Sequence, residues 1–190
     1  YIDCGVIDFD TSDISISFWF IANTIGAYEG LVSNRDRSGT KPGIQIRFDD
    51  GADDIELFTD YGGGTFSTKT GSFVPSVNVW THVAASIDRS GSQSLYINGI
   101  LEASTDISAQ ASADLTNADA LRIGRSEGSH YFDGNICNVG IWSRTLSAAE
   151  VKSIMYKNYA GLNGSETTNL VSWYNLSADA NDSTGTNNGT

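Results

Sequence analysis

The last segment of the chain, Asp182-Ser-Thr-Gly-Thr-Asn-Asn-Gly189, carries the oxygen-bearing side chains best suited to hold a metal ion. Calcium prefers carboxylate, amide and carbonyl oxygens that a tight turn brings together, and Asp182, Asn187 and Asn188 offer such oxygens. The same composition is typical of a turn that contains Asn and Gly for conformational reasons alone. Calcium binding and a plain turn are therefore two alternatives for this segment.

Two other groups of residues suggest chemistry less strongly. Asp49, Asp50, Asp53 and Asp54 do not have the spacing of an EF-hand loop, so a hydrated hairpin turn is the favoured interpretation. Cys4 and Cys137 are far apart in sequence and fall on two predicted strands. They form either a disulfide or two small buried apolar side chains, and the sequence leaves both alternatives open.

Catalytic groups are not apparent in the sequence. Glycoside hydrolysis needs two carboxylates roughly 5 to 10 Å apart, and neither Glu-x-Asp-x-Glu nor Glu-x-Asp-x-x-Glu occurs. His82 and His130 lack a recognisable Ser or Cys partner motif. We therefore predict that the chain is not an enzyme. The glutamates all stand alone: Glu29, Glu56, Glu102, Glu127, Glu150 and Glu166.

Aromatic side chains near loops are the candidates for ligand binding. A sugar-binding surface needs an exposed aromatic platform and a few hydrogen-bonding side chains. Tyr61 beside Gly62-Gly-Gly64, the group Arg125, His130 and Tyr131, and Trp19 on the polar side of its strand meet this description. Since aromatic residues are also favoured in strands for packing, each could instead be structural.

The composition excludes several classes of partner. The chain has 190 residues and a formal net charge of −12, which would repel a phosphate backbone, so we expect no nucleic-acid partner. No apolar stretch approaches the roughly 20 residues of a membrane span, so we expect no membrane insertion. The chain begins at Tyr1 without Met or a targeting motif, and we interpret it as a fragment or a processed form.

The elements that must position these groups are short strands. In residues 79–99, apolar side chains alternate with polar ones on both arms of a hairpin, which indicates half-buried antiparallel strands. Trp80, Val83, Leu95 and Ile97 are expected in the core. Ser147 and Glu150 fit a capping box, which predicts one short helix near 147–158. About ten short strands and this helix predict an all-β, two-sheet antiparallel sandwich of jelly-roll type.

These segments, in this order, resemble a known family. Trp80-Thr-His-Val-Ala84, Asp88 and Leu95-Tyr-Ile-Asn-Gly99 resemble the signature hairpin of laminin-G-like, concanavalin A-like jelly rolls of the pentraxin-like group. Other matching segments are Tyr1 to Gly5, Ile16 to Trp19, Leu121 to Gly124, Phe132 to Gly134, Ile136 to Trp142 and Arg144 to Glu150. The resemblance implies a single jelly-roll domain over residues 1–190.

The resemblance has one departure and one further implication. Residues 169–190 resemble the segment with which these domains normally begin, so we expect them to supply the first strand, either to their own domain or to a neighbouring copy. The family also implies a structural calcium near the final loop. Relatives often have an acidic residue after the position of Ile136, where this chain has Cys137, and Asp133 is the residue expected to compensate.

Together these observations predict a non-catalytic binding module that is extracellular, displayed on a cell surface or part of a virion surface. Its partner would be a carbohydrate or another cell-surface ligand, with calcium as a structural cofactor. The alternative is an assembly module, such as a fibre, filament or virion-decoration repeat, which associates with copies of itself through strand donation.

Overall fold

The computed structural model is built of two antiparallel sheets and describes residues 1–26, 28–35, 40–49, 54–62, 64–70, 73–126, 128 and 130–190. Twelve strands are present among these residues, rather than about ten. They lie in two sheets of six, with one α-helix against the outer face of one sheet. The predicted two-sheet jelly-roll sandwich with one short helix is thereby confirmed.

The first sheet, sheet A, contains the strands nearest the groove described below. In spatial order its strands are β1 (Ile2–Asp3), β10 (Arg122–Ile123), β3 (Gly30–Ser33), β4 (Gly43–Phe48), β5 (Ile55–Asp60) and β6 (Thr65–Lys69). Each neighbouring pair is antiparallel. Because β1 and β10 are only two residues long, this edge of the sheet is narrow.

The second sheet, sheet B, contains the predicted signature hairpin. In spatial order its strands are β12 (Leu170–Tyr174), β11 (Gly134–Trp142), β2 (Ile14–Ala22), β7 (Thr81–Ile87), β8 (Ser92–Ile97) and β9 (Ile100–Asp106). The arms of the hairpin pair with Val83 opposite Ile97 and Ala85 opposite Leu95. This is the register that the sequence alternation requires.

The core lies between the two sheets and follows the period-two pattern. Phe18 and Val83 face each other across β2 and β7, and both are fully buried with Leu95 and Ile97. Trp80 was expected in this core, and that expectation was wrong because its side chain is 45% exposed. It precedes the first residue of β7 and falls on the outward-facing side of the alternation, where the core cannot cover it.

A second, smaller core lies between the outer face of sheet B and the helix α1 (Ala148–Ile154), and it packs the two together. The capping box is confirmed, since Ser147 Oγ accepts from Glu150 N–H and Glu150 Oε2 accepts from Ser147 N–H. The helix ends before Asn158. The carbonyl of Met155 accepts the indole N–H of Trp19 at 2.8 Å, which anchors the end of the helix to the sheet.

The final segment folds onto its own chain in this structure. β12 pairs with β11, Asp182 forms an isolated bridge with Tyr174, and the backbone of Thr190 exchanges two hydrogen bonds with Asp3 of β1. The tail therefore spans the side of the sandwich on which both sheets have a short edge strand.

The two cysteines occur as free thiols, so the structure contains the second of the two alternatives. Cys4 is buried and Cys137 is half-buried. Burial raises the pKa of the Cys4 thiol to about 11, so this side chain is an unreactive part of the core. Across the described ranges, no helix combines the length and apolar character needed to cross a membrane.

Candidate ligand-binding site

One end of the sandwich carries a short two-stranded turn that we call the rim hairpin, and its described residues are 125, 126, 128, 130 and 131. Arg125 and Tyr131 form an antiparallel bridge, and Ser126 N–H donates to the carbonyl of His130. The hairpin lies against the start of β3, where a Cβ on Gly30 would be 2.2 Å from the Ser126 nitrogen. Only glycine fits there, so this close approach sets the position of the hairpin.

Two exposed tyrosines flank a guanidinium at this rim. The Cζ atom of Arg125 lies 4.8 Å from the ring centroid of Tyr1 and 5.1 Å from that of Tyr131, and the two ring centroids are 5.8 Å apart. Tyr1 is 60% exposed and Tyr131 is 50% exposed. Cation–π contacts at these distances hold the rings in a defined arrangement while leaving half of their surface to solvent.

His130 belongs to the same hairpin and faces the neighbouring loop. Its ring centroid lies 5.7 Å from that of Tyr28, whose ring in turn stacks under the guanidinium of Arg47 at 4.7 Å. Ser126 Oγ donates to the carbonyl of Tyr28, which ties the hairpin to this loop. The structure therefore brings three of the predicted ligand-binding residues, Arg125, His130 and Tyr131, onto one surface.

A groove of about 230 Å³ opens beside the tyrosines. It exists because β12 pairs only with the second half of β11, from Val139 to Trp142, so the first half of β11 borders the space between the sheets. Leu176 covers one end of this space with φ at 55°, a backbone conformation that is strained for leucine. The lining residues are Tyr1, Ile2, Ile123, Gly124, Phe132, Gly134, Asn135, Ile136 and Leu176.

Acceptor groups lie at the rim next to Phe132. Asp133 accepts hydrogen bonds from the Asn23 amide at 2.9 Å and the Thr24 hydroxyl at 3.2 Å. Burial raises the pKa of the nearby Glu29 carboxyl, and the Asp133 charge acts in the same direction. Glu29 Oε2 is buried and has no hydrogen-bond partner among the described residues. The Glu29 oxygen is therefore enclosed, and the exposed Asp133 carboxylate is the acceptor that lies at the rim.

Two other predicted ligand-binding residues are structural in this structure. Tyr61 packs edge-on against Phe66 and under Arg89, and its hydroxyl is buried. Trp19 stacks on His82 and uses its indole N–H to bind the end of α1. Each was chosen from its position in a polar stretch of sequence. The tertiary neighbours that cover both rings are distant in sequence and left no local signal.

The final loop does not fit a calcium ion. Asp182 is 4% exposed, and its two oxygens accept hydrogen bonds from Trp173 N–H, both donors of Thr184, Thr186 N–H and Asn187 N–H. Burial alone would raise the pKa of this carboxyl, but the bonds from Thr184 and Trp173 hold its pKa below the ordinary value. The lone pairs that a cation would need are therefore already used.

The other predicted calcium ligands do not form a set of free oxygens around Asp182. Asn188 Oδ1 accepts the backbone N–H of Asp182, and the Asn187 amide donates to Ser172. Asp182 bridges Tyr174, which lies opposite Val139, and Val139 is six positions along the chain from Asp133. That spacing is roughly 20 Å along the strand. The structure does not bring Asp133 to the final loop.

The remaining acidic cluster, Asp49 to Asp54, is only partly described. Within the described part of the chain, no three His, Cys, Asp or Glu side chains converge as metal ligands would. Asp50 and Asp53 of the predicted acidic turn lie outside the described residues. Calcium stays a prediction from the family resemblance, and the residues around Asp182 do not fit it.

One serine and histidine lie close together away from the rim. Ser17 Oγ and His82 Nε2 are 2.8 Å apart on the outer face of sheet B, beneath Trp19. Both residues are almost completely buried, and burial lowers the pKa of His82 to about 4. Because a substrate cannot reach them in this structure, the pair contributes to packing rather than to nucleophilic chemistry.

A family model described as the concanavalin A-like lectin/glucanases superfamily matches residues 1–152. No curated protein matches the chain significantly. Among solved structures, a Bacteroides ovatus protein described as a candidate carbohydrate-binding protein is 20% identical with a TM-score of 0.76. The match covers 98% of this chain and 53% of that protein, so the chain spans about half of its length.

Two further solved structures are similar in fold. Domain 4 of AbnA, a GH43 extracellular arabinanase from Geobacillus stearothermophilus, in complex with arabinotriose, is 20% identical with a TM-score of 0.64, over 80% of this chain and 68% of that one. The CBM40 of the Ruminococcus gnavus IT-sialidase, bound to α2,6-sialyllactose, is 18% identical with a TM-score of 0.61, over 75% and 82%. At these identities the likeness shows the fold alone.

Proposed function

The chain belongs to the concanavalin A-like lectin/glucanases superfamily, and we propose that it is a non-catalytic carbohydrate-binding module whose ligand binds at the rim hairpin and the adjacent groove. The observation that carries the proposal is the pair of half-exposed tyrosines held against Arg125 at the mouth of the groove. Large aromatic rings exposed in a fixed arrangement beside a concave apolar surface are typical of ligand sites.

The geometry suits a sugar ring. The apolar face of a pyranose or furanose stacks on Tyr131 or Tyr1, while the phenol groups and the Asn135 amide supply hydrogen bonds to its hydroxyls. Asp133, which is exposed, adds an acceptor at the edge of the same surface. The apolar walls of the groove, Ile2 and Phe132 among them, would accommodate a second ring or a methyl or acetyl substituent.

The similar structures support this proposal without deciding the ligand. Those from Geobacillus stearothermophilus and Ruminococcus gnavus contain an arabinotriose and a sialyllactose. A non-catalytic role is supported by the isolated glutamates and by the burial of the Ser17–His82 pair. An extracellular or surface-displayed location would place such a module where glycans occur.

We also propose that residues 169–190 complete their own domain rather than a neighbouring copy. Support comes from the pairing of β12 with β11 and of Thr190 with Asp3 within one chain. The assembly alternative predicts that the segment exchanges between copies. Size-exclusion chromatography with light scattering separates the two: a monomer at high micromolar concentration agrees with the proposal, and concentration-dependent polymers contradict it.

A glycan array followed by calorimetry with the best ligand tests the binding function. Tyr131→Ala should weaken binding about tenfold, because a stacked aromatic contributes roughly 1 kcal/mol. Tyr156→Ala is the matched control, since Tyr156 is 79% exposed after α1 and away from the groove. Absence of any glycan ligand, or equal affinities for the two variants, would contradict the proposal.

A further inference from the structure

Arg125 is one of the described cations that form no ion pair. The protein has 23 acidic and 11 basic residues, so most described cations are close to a carboxylate. Five ion pairs join described residues: Arg35–Asp60, Lys41–Asp119, Arg47–Glu56, Arg144–Glu150 and Lys157–Glu166. Arg89 instead donates to backbone carbonyls of the core. In the described ranges, Arg125 has no carboxylate within ion-pair distance.

The hydrogen bonds of Arg125 leave one edge of its guanidinium open. Nε and Nη2 both donate to the carbonyl of Gly128, at 3.2 and 2.9 Å, which fixes the plane of the group. The rings of Tyr1 and Tyr131 lie against it. The remaining edge, formed by Nη1 and the second hydrogen of Nη2, has the two parallel N–H donors that bind a carboxylate in a bidentate manner.

Resting on the proposed function, we propose that the ligand is an anionic sugar, whose acidic group binds the open Nη1–Nη2 edge of Arg125 while its ring stacks on Tyr131 or Tyr1. A carboxylate, as in a uronic or nonulosonic acid, and a sulfate ester share the required geometry. The net charge of −12 opposes a polyanion such as a nucleic-acid backbone, which extends over much of the surface. A single acidic group at Arg125 responds mainly to charges within about 8 Å, because more distant exposed charges are largely screened at physiological salt.

The test is calorimetry with three forms of one oligosaccharide: the carboxylate form, the same chain with its carboxyl groups reduced to alcohols, and a sulfated form of the reduced chain. Wild-type protein should bind the carboxylate or the sulfated form at least tenfold more tightly than the reduced form. Whichever anionic form is preferred identifies the source of the negative charge.

Variants separate the role of the charge from that of the rings. Arg125→Gln should remove the preference for the anionic form. Because the guanidinium also holds the rings of Tyr1 and Tyr131, affinity for the reduced form should fall too, but by a smaller factor than affinity for the anionic form. Arg125→Lys should restore part of the preference, because it keeps the charge but loses the fork. Lys152→Gln, which removes an exposed charge on α1, is the control and should leave all affinities unchanged.

Equal affinity of the wild-type protein for anionic and reduced forms would overturn this inference and leave the carbohydrate-binding proposal intact. A preference that survives Arg125→Gln would also overturn it, because the anion would then bind elsewhere. Failure to bind all three forms and every other glycan would instead contradict the carbohydrate-binding proposal itself.

Discussion

Two tyrosine–arginine pairs have nearly the same geometry and very different surroundings. Arg89 lies 5.0 Å from the ring centroid of Tyr61, and Arg125 lies 5.1 Å from that of Tyr131. Arg89 is 2% exposed and donates to the carbonyls of Asp10, Gln110 and Ala113. Arg125 keeps an open edge beside a half-exposed ring.

This difference shows that the residues around an arginine–tyrosine pair determine whether the pair is structural or available to a ligand. Around Arg89, long connections fold over the guanidinium and supply carbonyl acceptors, so the pair closes one end of the core. Around Arg125, a short hairpin supplies one acceptor, Gly128, and the sandwich leaves a groove. We therefore expect substitutions at the first pair to change stability and those at the second to change binding.

The largest expected contrast is between the two arginines. Arg89→Met should lower the free energy of unfolding by about 3 kcal/mol, because it removes three hydrogen bonds that the buried guanidinium donates to loop carbonyls. Arg125→Met should cost less than about 0.5 kcal/mol, as is usual at an exposed site. Urea denaturation of both variants measures this, and equal destabilisation by the two would remove the distinction between the pairs.

Substitutions in the final loop should change stability, as at Arg89, and this loop should not bind calcium. Asp182→Ala removes the acceptor for five hydrogen-bond donations and should cost about 3 kcal/mol. Melting temperatures of the wild-type protein should be the same in excess calcium and in excess chelator. A melting temperature that chelation lowers in the wild type but not in Asp182→Ala would instead establish a calcium site there.

The stability of the protein should also depend on pH through the buried side chain of His82. Burial lowers its pKa to about 4 in the folded state, against about 6.5 in an unfolded chain. Unfolded protein then binds the extra proton first, so stability falls as the pH drops from about 6.5 towards 4. The loss at pH 5 relative to pH 8 is about 2 kcal/mol.

His82→Gln is the matched variant for this pH effect. Its stability should fall about 2 kcal/mol less than that of the wild-type protein over the same range, because the shared carboxylates cancel in the difference. Denaturant titrations at pH 8 and pH 5 give both values. Parallel pH profiles for the two proteins would show that folding does not lower the pKa of His82.

The smallest expected contrast concerns the two phenol groups. The Tyr61 hydroxyl is buried and has no hydrogen-bond partner among the described residues, so Tyr61→Phe should be neutral or stabilise by up to about 1 kcal/mol. Tyr131→Phe should leave stability unchanged and weaken glycan binding severalfold through the lost hydroxyl. Thermal melts measure the change in stability and calorimetry measures the change in affinity. A loss of binding in Tyr61→Phe with no such loss in Tyr131→Phe would contradict the assigned roles.

The strands and the helix were predictable because their sequence signals are local. Alternation over residues 79–99 and the Ser147–Glu150 capping box depend on neighbours within a few residues, and the structure has both features. Trp80 was assigned wrongly because alternation does not show where a strand begins. Its ring lies beyond the start of β7, where no layer covers it.

The candidate site was only partly predictable. Arg125, His130 and Tyr131 were found because they are close in sequence and lie in one hairpin. Tyr1 and Asn135 were missed, since their exposure depends on β12 leaving the first half of β11 uncovered. Likewise, the carboxylate of Asp182 suggested a metal ligand, although the direction of the N–H groups around it is determined only by the folded loop.

The central claim is that the ligand binds at the rim hairpin and not in the buried parts of the sandwich. The most direct test is a two-dimensional NMR titration of the isotopically labelled protein with its best glycan. We expect the largest amide chemical-shift changes in residues 1–3, in residues 124–136 and around Leu176. Shifts concentrated around Tyr61 and Arg89 or beneath α1, with residues 124–136 unaffected, would contradict it.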